Sequence, residues 1–152
     1  MDDDPVRRML PHAVPSWVPD ASLFFITICC LPRGENQLCQ SSCAVSVLDL
    51  ARFYHESNRW FCPLCVLMPD HLHAVAAFSR EPGMEETIAN LKRYLARIVG
   101  IVWQRDFFDH RLRSLAEQNE KIDYIRRNPV RQGLCQIPEE WPWIFEGDGD
   151  GR

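Results

Sequence analysis

The segment that most constrains this chain is a pair of short apolar stretches, Leu64 to Met68 and His71 to Phe78, separated by Pro69-Asp70. Each is too short for a globular helix, and Pro-Asp forms turns, so the pattern predicts an antiparallel hairpin. Successive side chains of a strand point to opposite faces. In the second stretch both sets are apolar, with Leu72, Ala74, Ala76 and Phe78 on one side and Val75 and Ala77 on the other. Such a strand lies centrally in a sheet and needs cover on both faces. Two imidazoles break the apolar pattern, and their i, i+2 spacing projects His71 and His73 from one face about 7 Å apart.

The flanking sequence supplies the cover. Leu23 to Cys29 is β-branched and aromatic and is stopped by Pro32 and Gly34, a first strand. Ser41-Ser42 is expected to cap a helix whose apolar positions Ala44, Val47, Leu48, Ala51 and Tyr54 recur at helical spacing. After Pro82-Gly83 a second amphipathic helix is expected with Met84, Ile88, Leu91, Leu95 and Ile98 inside. Glu85, Glu86, Lys92, Arg93 and Arg97 lie on its outer side. Trp103 to Asp109 fits a strand or a loop. A third helix, about Ser114 to Arg127, has Leu115, Ile122 and Ile125 as its buried stripe and is expected to end before Pro129. This order predicts an α+β sandwich with a central, mainly antiparallel sheet and helices packed on it.

A chain of 152 residues, 46% of them hydrophobic, builds one core of ordinary size. The expected catalytic-domain-sized unit spans 22–145. Before it, 1–21 carries Pro5, Pro11, Pro15 and Pro19 without periodicity, and after it 146–152 is acidic and Gly/Asp-rich, so both are expected to be flexible. No apolar run approaches the ~20 residues of a membrane helix, and the start Asp2-Asp3-Asp4 is the opposite of a signal peptide. A soluble cytoplasmic protein with no membrane partner is the expectation.

Seven cysteines match no disulfide framework and read as reduced apolar fillers. Cys39-x3-Cys43 with Cys62-x2-Cys65 offers four thiolates for zinc, but in a regular strand Cys62 and Cys65 face opposite ways. The net charge of -4 resides in the tails, since 1–4 and 146–152 hold six acids and one base. From Lys92 to Arg131 ten bases face five acids, a surplus that can follow a phosphate backbone or simply be solvated.

The third helix offers a complement to the imidazoles. Tyr124 and Asn128 lie four residues apart and hence about 40° apart around the axis, a phenol and an amide on one side. Two interpretations stand for each group: His71 and His73 chelate a metal or are satisfied core histidines, and Tyr124 is a reactive phenol or a boundary tyrosine. Asp109-His110 suits a structural or DNA-positioning role, because adjacent residues rarely converge on one point. Trp141 and Trp143 are expected to close the core rather than to stack on bases.

Four blocks together carry a resemblance: Met68-Pro69-Asp70-His71-Leu72-His73, Trp103 to Arg113, Tyr124-Ile125-x-x-Asn128-Pro129-Val130-Arg131-x-Gly133-Leu134, and Trp141-Pro142-Trp143. In this order, from about Phe24 to Trp143, the chain resembles the REP-associated tyrosine transposases, single-tyrosine HUH nucleases related to the insertion-sequence 200-like transposases. The resemblance implies a ferredoxin-like, HUH-type sandwich that cleaves and rejoins single-stranded or hairpin DNA through a 5′-phosphotyrosine. It places the nucleophile at Tyr124 and the histidine pair at His71 and His73. With Asn128 as third ligand, the site would take Mg²⁺ or Mn²⁺. Lys92, Arg93, Arg97, Lys121, Arg126, Arg127 and Arg131 are the expected DNA contacts of a monomer or homodimer. Two further readings keep the same residues: a module that binds nucleic acid without cutting, and a metal-dependent nuclease that uses water.

Overall fold

The computed structural model describes residues 14–148. Five strands form one antiparallel sheet: β1 (Leu23–Cys29), β2 (Phe61–Met68), β3 (His71–Ala77), β4 (Phe108–Leu112) and β5 (Ile144–Phe145), in the order β4-β1-β3-β2-β5. The expected hairpin is present, with Met68 opposite His71 across Pro69-Asp70, and β3 is central. Three helices cover the sheet, α1 (Ser41–Glu56), α2 (Met84–Val99) and α3 (Leu115–Arg131).

The sheet has a core on each face, as two apolar sides of β3 require. On one, Ile26, Ile28, Leu67, Leu72, Ala74 and Ala76 pack under Val47 and Ala51 of α1 and Ile88, Leu91 and Leu95 of α2. On the other, Phe25, Leu64, Val66, Val75 and Ala77 pack under Ile122 and Ile125 of α3. Val14, Trp17 and Val18 join this second core, so the part of segment 1–21 that is described, from Val14 on, is packed against the domain. Residues 1–13 and 149–152 lie outside the described residues, and with them most of the two expected flexible ends. No helix among the described residues is long and apolar enough to cross a membrane.

Several local expectations are corrected. The N-cap of α1 is Gln40, without a side-chain cap bond, and Ser41 is already helical. Ile98 and Leu115, expected inside, are 45% and 38% exposed, Ile98 in the last turn of α2 and Leu115 as the first residue of α3. Helix α3 runs through Pro129 to Arg131. Proline removes one intrahelical bond, but the Gln132 amide still reaches the Asn128 carbonyl at 3.0 Å, and the stop comes at Gly133, whose φ of 76° is left-handed. The register shift between Phe61 and Leu64 brackets Pro63 and brings Cys62 and Cys65 into the same core, against the alternation expected of a regular strand. Trp103 to Asp109 is mostly loop, with Trp103 bridging Cys30 and β4 beginning at Phe108.

The Trp141-Pro142-Trp143 segment closes the core, as its composition suggested. Trp141 Nε1 donates to the Leu67 carbonyl at 2.9 Å, and the Leu67 amide donates to the Trp143 carbonyl at 3.0 Å. Trp141 packs on one core and Trp143 on the other. Beyond them Gly147 fits against His55 and Cys62, where a Cβ would stand 2.3 Å from the Cys62 carbonyl oxygen.

His55 is buried between Phe61 and Phe145. Its Nδ1 accepts from the Cys62 amide at 3.0 Å, so the proton sits on Nε2, which has no partner among the described residues. Burial lowers its pKa, a shift the nearby Asp148 only partly offsets. The unfolded chain therefore takes up a proton first as pH falls below about 6.5, and stability present above that pH is lost on acidification. Urea unfolding at pH 7.5 and 5.5 is expected to show a smaller drop in His55→Gln than in the parent protein; equal drops would refute this assignment.

Candidate nucleic-acid-processing site

His71 and His73 leave β3 on the face covered by α3, with ring centroids 4.7 Å apart at 74°. Register places Thr27 of β1 directly across from His73, and His73 Nδ1 lies 3.0 Å from Thr27 Oγ1. His71 Nδ1 lies 2.8 Å from Asp70 Oδ1. A carboxylate only accepts, so Nδ1 of His71 carries a proton and donates. With both Nδ1 atoms engaged, the two Nε2 atoms are the ring nitrogens left to bind something.

Asp70 is itself fixed. Arg33 Nε donates to Oδ2 at 3.0 Å, Arg33 Nη2 to Oδ1 at 3.4 Å, and the Gly34 amide to Oδ2 at 2.8 Å. Burial pushes this carboxyl up, but the bonds from Arg33, His71 and Gly34 outweigh it and hold Asp70 well below the usual carboxylate range. His73 is 8% exposed, and burial, with His71, Lys121 and Arg131 adding positive charge, lowers its pKa to about 3. It is neutral at pH 7, the form an imidazole needs as a metal ligand.

Helix α3 is started by Ser114, whose Oγ accepts from the Glu117 amide at 3.0 Å. Glu117 reaches back to the Arg113 amide at 2.7 Å and to His110 Nε2 at 2.8 Å. His110 thus serves the helix start, one of the two roles expected of Asp109-His110. Asn128 is buried with Ile122, Ile125 and Pro129, while Tyr124, one turn earlier, is 47% exposed at the rim. A chain of contacts links the phenol to the imidazoles: His73 and Phe25 rings at 5.2 Å, Lys121 Nζ at 4.5 Å over Phe25, and the same Nζ at 5.0 Å over Tyr124. Arg131 also lies over the phenol ring, with Cζ 3.8 Å from the Tyr124 ring centre, and donates to the Tyr124 carbonyl at 2.6 Å and to Asn128 Oδ1 at 3.4 Å.

The structure therefore brings His71, His73, Tyr124, Asn128, Lys121 and Arg131 to one side of the sheet. Arg126 pairs with Glu146 just past β5, and Arg127 with Asp123 on the exposed side of α3. Lys92, Arg93 and Arg97 belong to α2, across the sheet. Lys92 is spent on the loop before β4, donating to the Gln104 and Arg105 carbonyls at 2.9 Å each. Of the competing tyrosines, Tyr54 is buried and Tyr94 lies on α2, away from the imidazoles.

Sequence reading missed Thr27, Asp70 and Arg33 as partners of the pair. Asp70 was visible as a residue beside a histidine but also as a turn former. Among the described residues no three His, Cys, Asp or Glu side chains gather to hold a metal ion. The thiols of Cys39 and Cys65 are pushed up to about 12 by burial. A divalent ion at the imidazole pair would complete its shell from an amide, water or substrate oxygens. Two imidazole nitrogens, one ring oriented by a carboxylate, fit such an ion.

An antiparallel α+β sandwich that carries a His-x-His strand beneath a tyrosine-bearing helix defines the class of this domain. It resembles the REP-associated tyrosine transposases. No family model matches the chain. It is 25% identical over 91 residues to the REP-associated tyrosine transposase of Escherichia coli K12, covering 58% of this chain and 52% of that protein. It is 30% identical over 98 residues to a Haemophilus influenzae protein provisionally given the same name, covering 53% and 54%. The chain thus spans about half the length of the curated relatives it matches. A solved REP-associated tyrosine transposase bound to a REP hairpin superposes with a TM-score of 0.71 at 20% identity, over 86% of this chain and 79% of that one. The likeness establishes the fold.

The Tyr124 hydroxyl makes no hydrogen bond among the described residues and its ring is held by Lys121 and Arg131. Tyr124→Phe is expected to change unfolding free energy by less than about 0.5 kcal/mol in urea titration. A larger loss would mean that the hydroxyl is a structural group.

Proposed function

We propose that this chain cleaves and rejoins single-stranded or hairpin DNA with Tyr124 as nucleophile. The observation that supports this is the convergence of an exposed phenol, two cations and the imidazole pair on one side of the sheet. Sequence similarity to transposases adds to it.

A phosphodiester is cut by in-line attack, which needs a positioned nucleophile and stabilisation of the charge that develops on phosphorus oxygens. Lys121 and Arg131 flank the phenol, where they attract and seat the phosphate. The phenol oxygen bonds to phosphorus, its proton passes to solvent, and the bond from phosphorus to the 3′ oxygen breaks. That oxygen takes a proton and leaves as a 3′-hydroxyl, with the 5′-phosphate on Tyr124. The ester bond is conserved, so an incoming 3′-hydroxyl can reverse the step and join a new end without ATP.

His71 and His73 through Nε2, with Asn128 as third ligand, would hold Mg²⁺ or Mn²⁺. When bound, the ion would supply positive charge to the phosphate and help orient it. Asp70 orients His71 and Thr27 orients His73. Arg126 and Arg127, held by Glu146 and Asp123, would exchange those carboxylates for phosphates to make backbone contacts.

Labelled hairpin DNA incubated with the protein and Mn²⁺ is expected to give a denaturation-resistant adduct that Tyr124→Phe abolishes while keeping DNA binding. Adduct from the mutant would place the nucleophile elsewhere; cleavage without adduct would favour attack by water. Calorimetric Mn²⁺ titration should show binding lost in His73→Ala and weakened about 10- to 100-fold in Asp70→Ala. Unchanged affinity in His73→Ala would refute the ligand pair, and in Asp70→Ala the orienting role of Asp70.

A further inference from the structure

On the sheet face opposite the imidazoles, α1 and α2 bound an open groove of about 640 Å³. Its walls alternate cations with exposed apolar groups. Phe53, Tyr94 and Ile98 are 51%, 39% and 45% exposed, and Arg59, Arg93 and Arg97 stand among them. Arg59 lies over the Phe53 ring at 5.1 Å, and Arg97 over the Tyr94 ring at 5.6 Å. Arg93 donates to Asn90 at 2.7 Å. None of the three arginines has a carboxylate within ion-pair distance among the described residues. The one acid of the groove, Asp49, is taken by Arg52 at 3.2 Å.

Apolar rings left in water beside uncompensated positive charge mark a binding surface, and the chemistry narrows its occupant. Arginines call for an anion. Flat aromatic faces held under guanidinium groups call for a partner that also stacks. A second copy of the chain meeting this groove across a two-fold axis would bring three arginines against three arginines. A duplex keeps its bases stacked inside and offers Phe53 and Tyr94 nothing flat. A single strand presents phosphates and bare base faces together.

We propose that the α1–α2 groove is a second binding surface, for single-stranded DNA, separated by the whole sheet from His71 and His73. This goes beyond the cleavage reading and does not depend on it. A strand engaged here is bound by charge and stacking with no reactive group at hand, so the groove retains DNA without cutting it.

Fluorescein-labelled oligothymidine and a blunt duplex serve as probes in anisotropy titrations over a salt series. Arg93→Ala/Arg97→Ala is expected to weaken oligothymidine binding about ten-fold or more and to reduce the slope of log K against log salt by about 1.4, two phosphate contacts on a single strand. Phe53→Ala/Tyr94→Ala should weaken it at least about five-fold for each lost stack. Both sets of changes are at the surface, and thermal unfolding checks the fold. Independently of any variant in the groove, iodouracil-substituted oligothymidine should photocrosslink to Phe53 or Tyr94 in the Tyr124→Phe protein. Crosslinks confined to α3, unchanged affinity in the arginine variant, an equal loss on blunt duplex, or displacement of the strand by polyglutamate at equal charge would overturn the proposal. Loss of adduct chemistry with these crosslinks intact would sink only the cleavage reading, and the reverse pattern only this one.

Discussion

The turn at Pro69-Asp70 is the point on which the site geometry depends. A central strand covered on both faces leaves little freedom to its side chains, but the direction of His71 is set at the strand's first residue. There the loop after β1 closes on the turn. The Cys30 amide donates to the Asp70 carbonyl at 2.8 Å, the Gln37 and Leu38 amides to the Pro69 carbonyl at 2.9 and 3.0 Å, and Arg33 and Gly34 take the Asp70 carboxylate. One short loop thereby satisfies the turn and presents a fixed acceptor to His71. Chelation is favoured by ligands whose orientation is settled before the ion arrives.

The sheet also separates two kinds of positive charge. Around Tyr124 the cations are held in place by rings and a backbone carbonyl, with Lys121 between two aromatic faces and Arg131 folded back along its own helix. Across the sheet Lys92 has been drawn into packing, and its pKa is lowered by burial, while Arg93 and Arg97 face solvent. A uniform count of bases along the sequence cannot express this division. Which lysine holds a loop and which arginine stands free is decided by tertiary packing.

Much of the architecture was legible because the hairpin carries apolar residues on both faces, a pattern few arrangements other than a covered central strand satisfy. The imidazole pair was legible for the same reason, as polar groups where the pattern demands apolar ones, and the phenol for the opposite one, as an aromatic ring beside Asn128 on the polar side of its helix. Their partners were not. Thr27 meets His73 only through the register between β1 and β3, a relation that spans 46 positions. Proline was weighed as a helix stop, and yet Pro129 sits inside α3, so Arg131 remains on the helix and close to Tyr124. The two-residue β5 is too short for any periodicity, and a bulge at Pro63 defeats the alternation argument for Cys62 and Cys65.

Strand β4 forms one edge of the sheet, and along it Asp109, His110 and Arg111 are all exposed. An edge strand shows a row of backbone donors and acceptors to any passing strand, which makes it a template for uncontrolled association. Here that template is five residues long, with Asp109 and Arg111 exposed on it and His110 already tied to Glu117, so another strand laid alongside would have to bury charge. A short edge loaded with charge offers a neighbouring strand little to pair with.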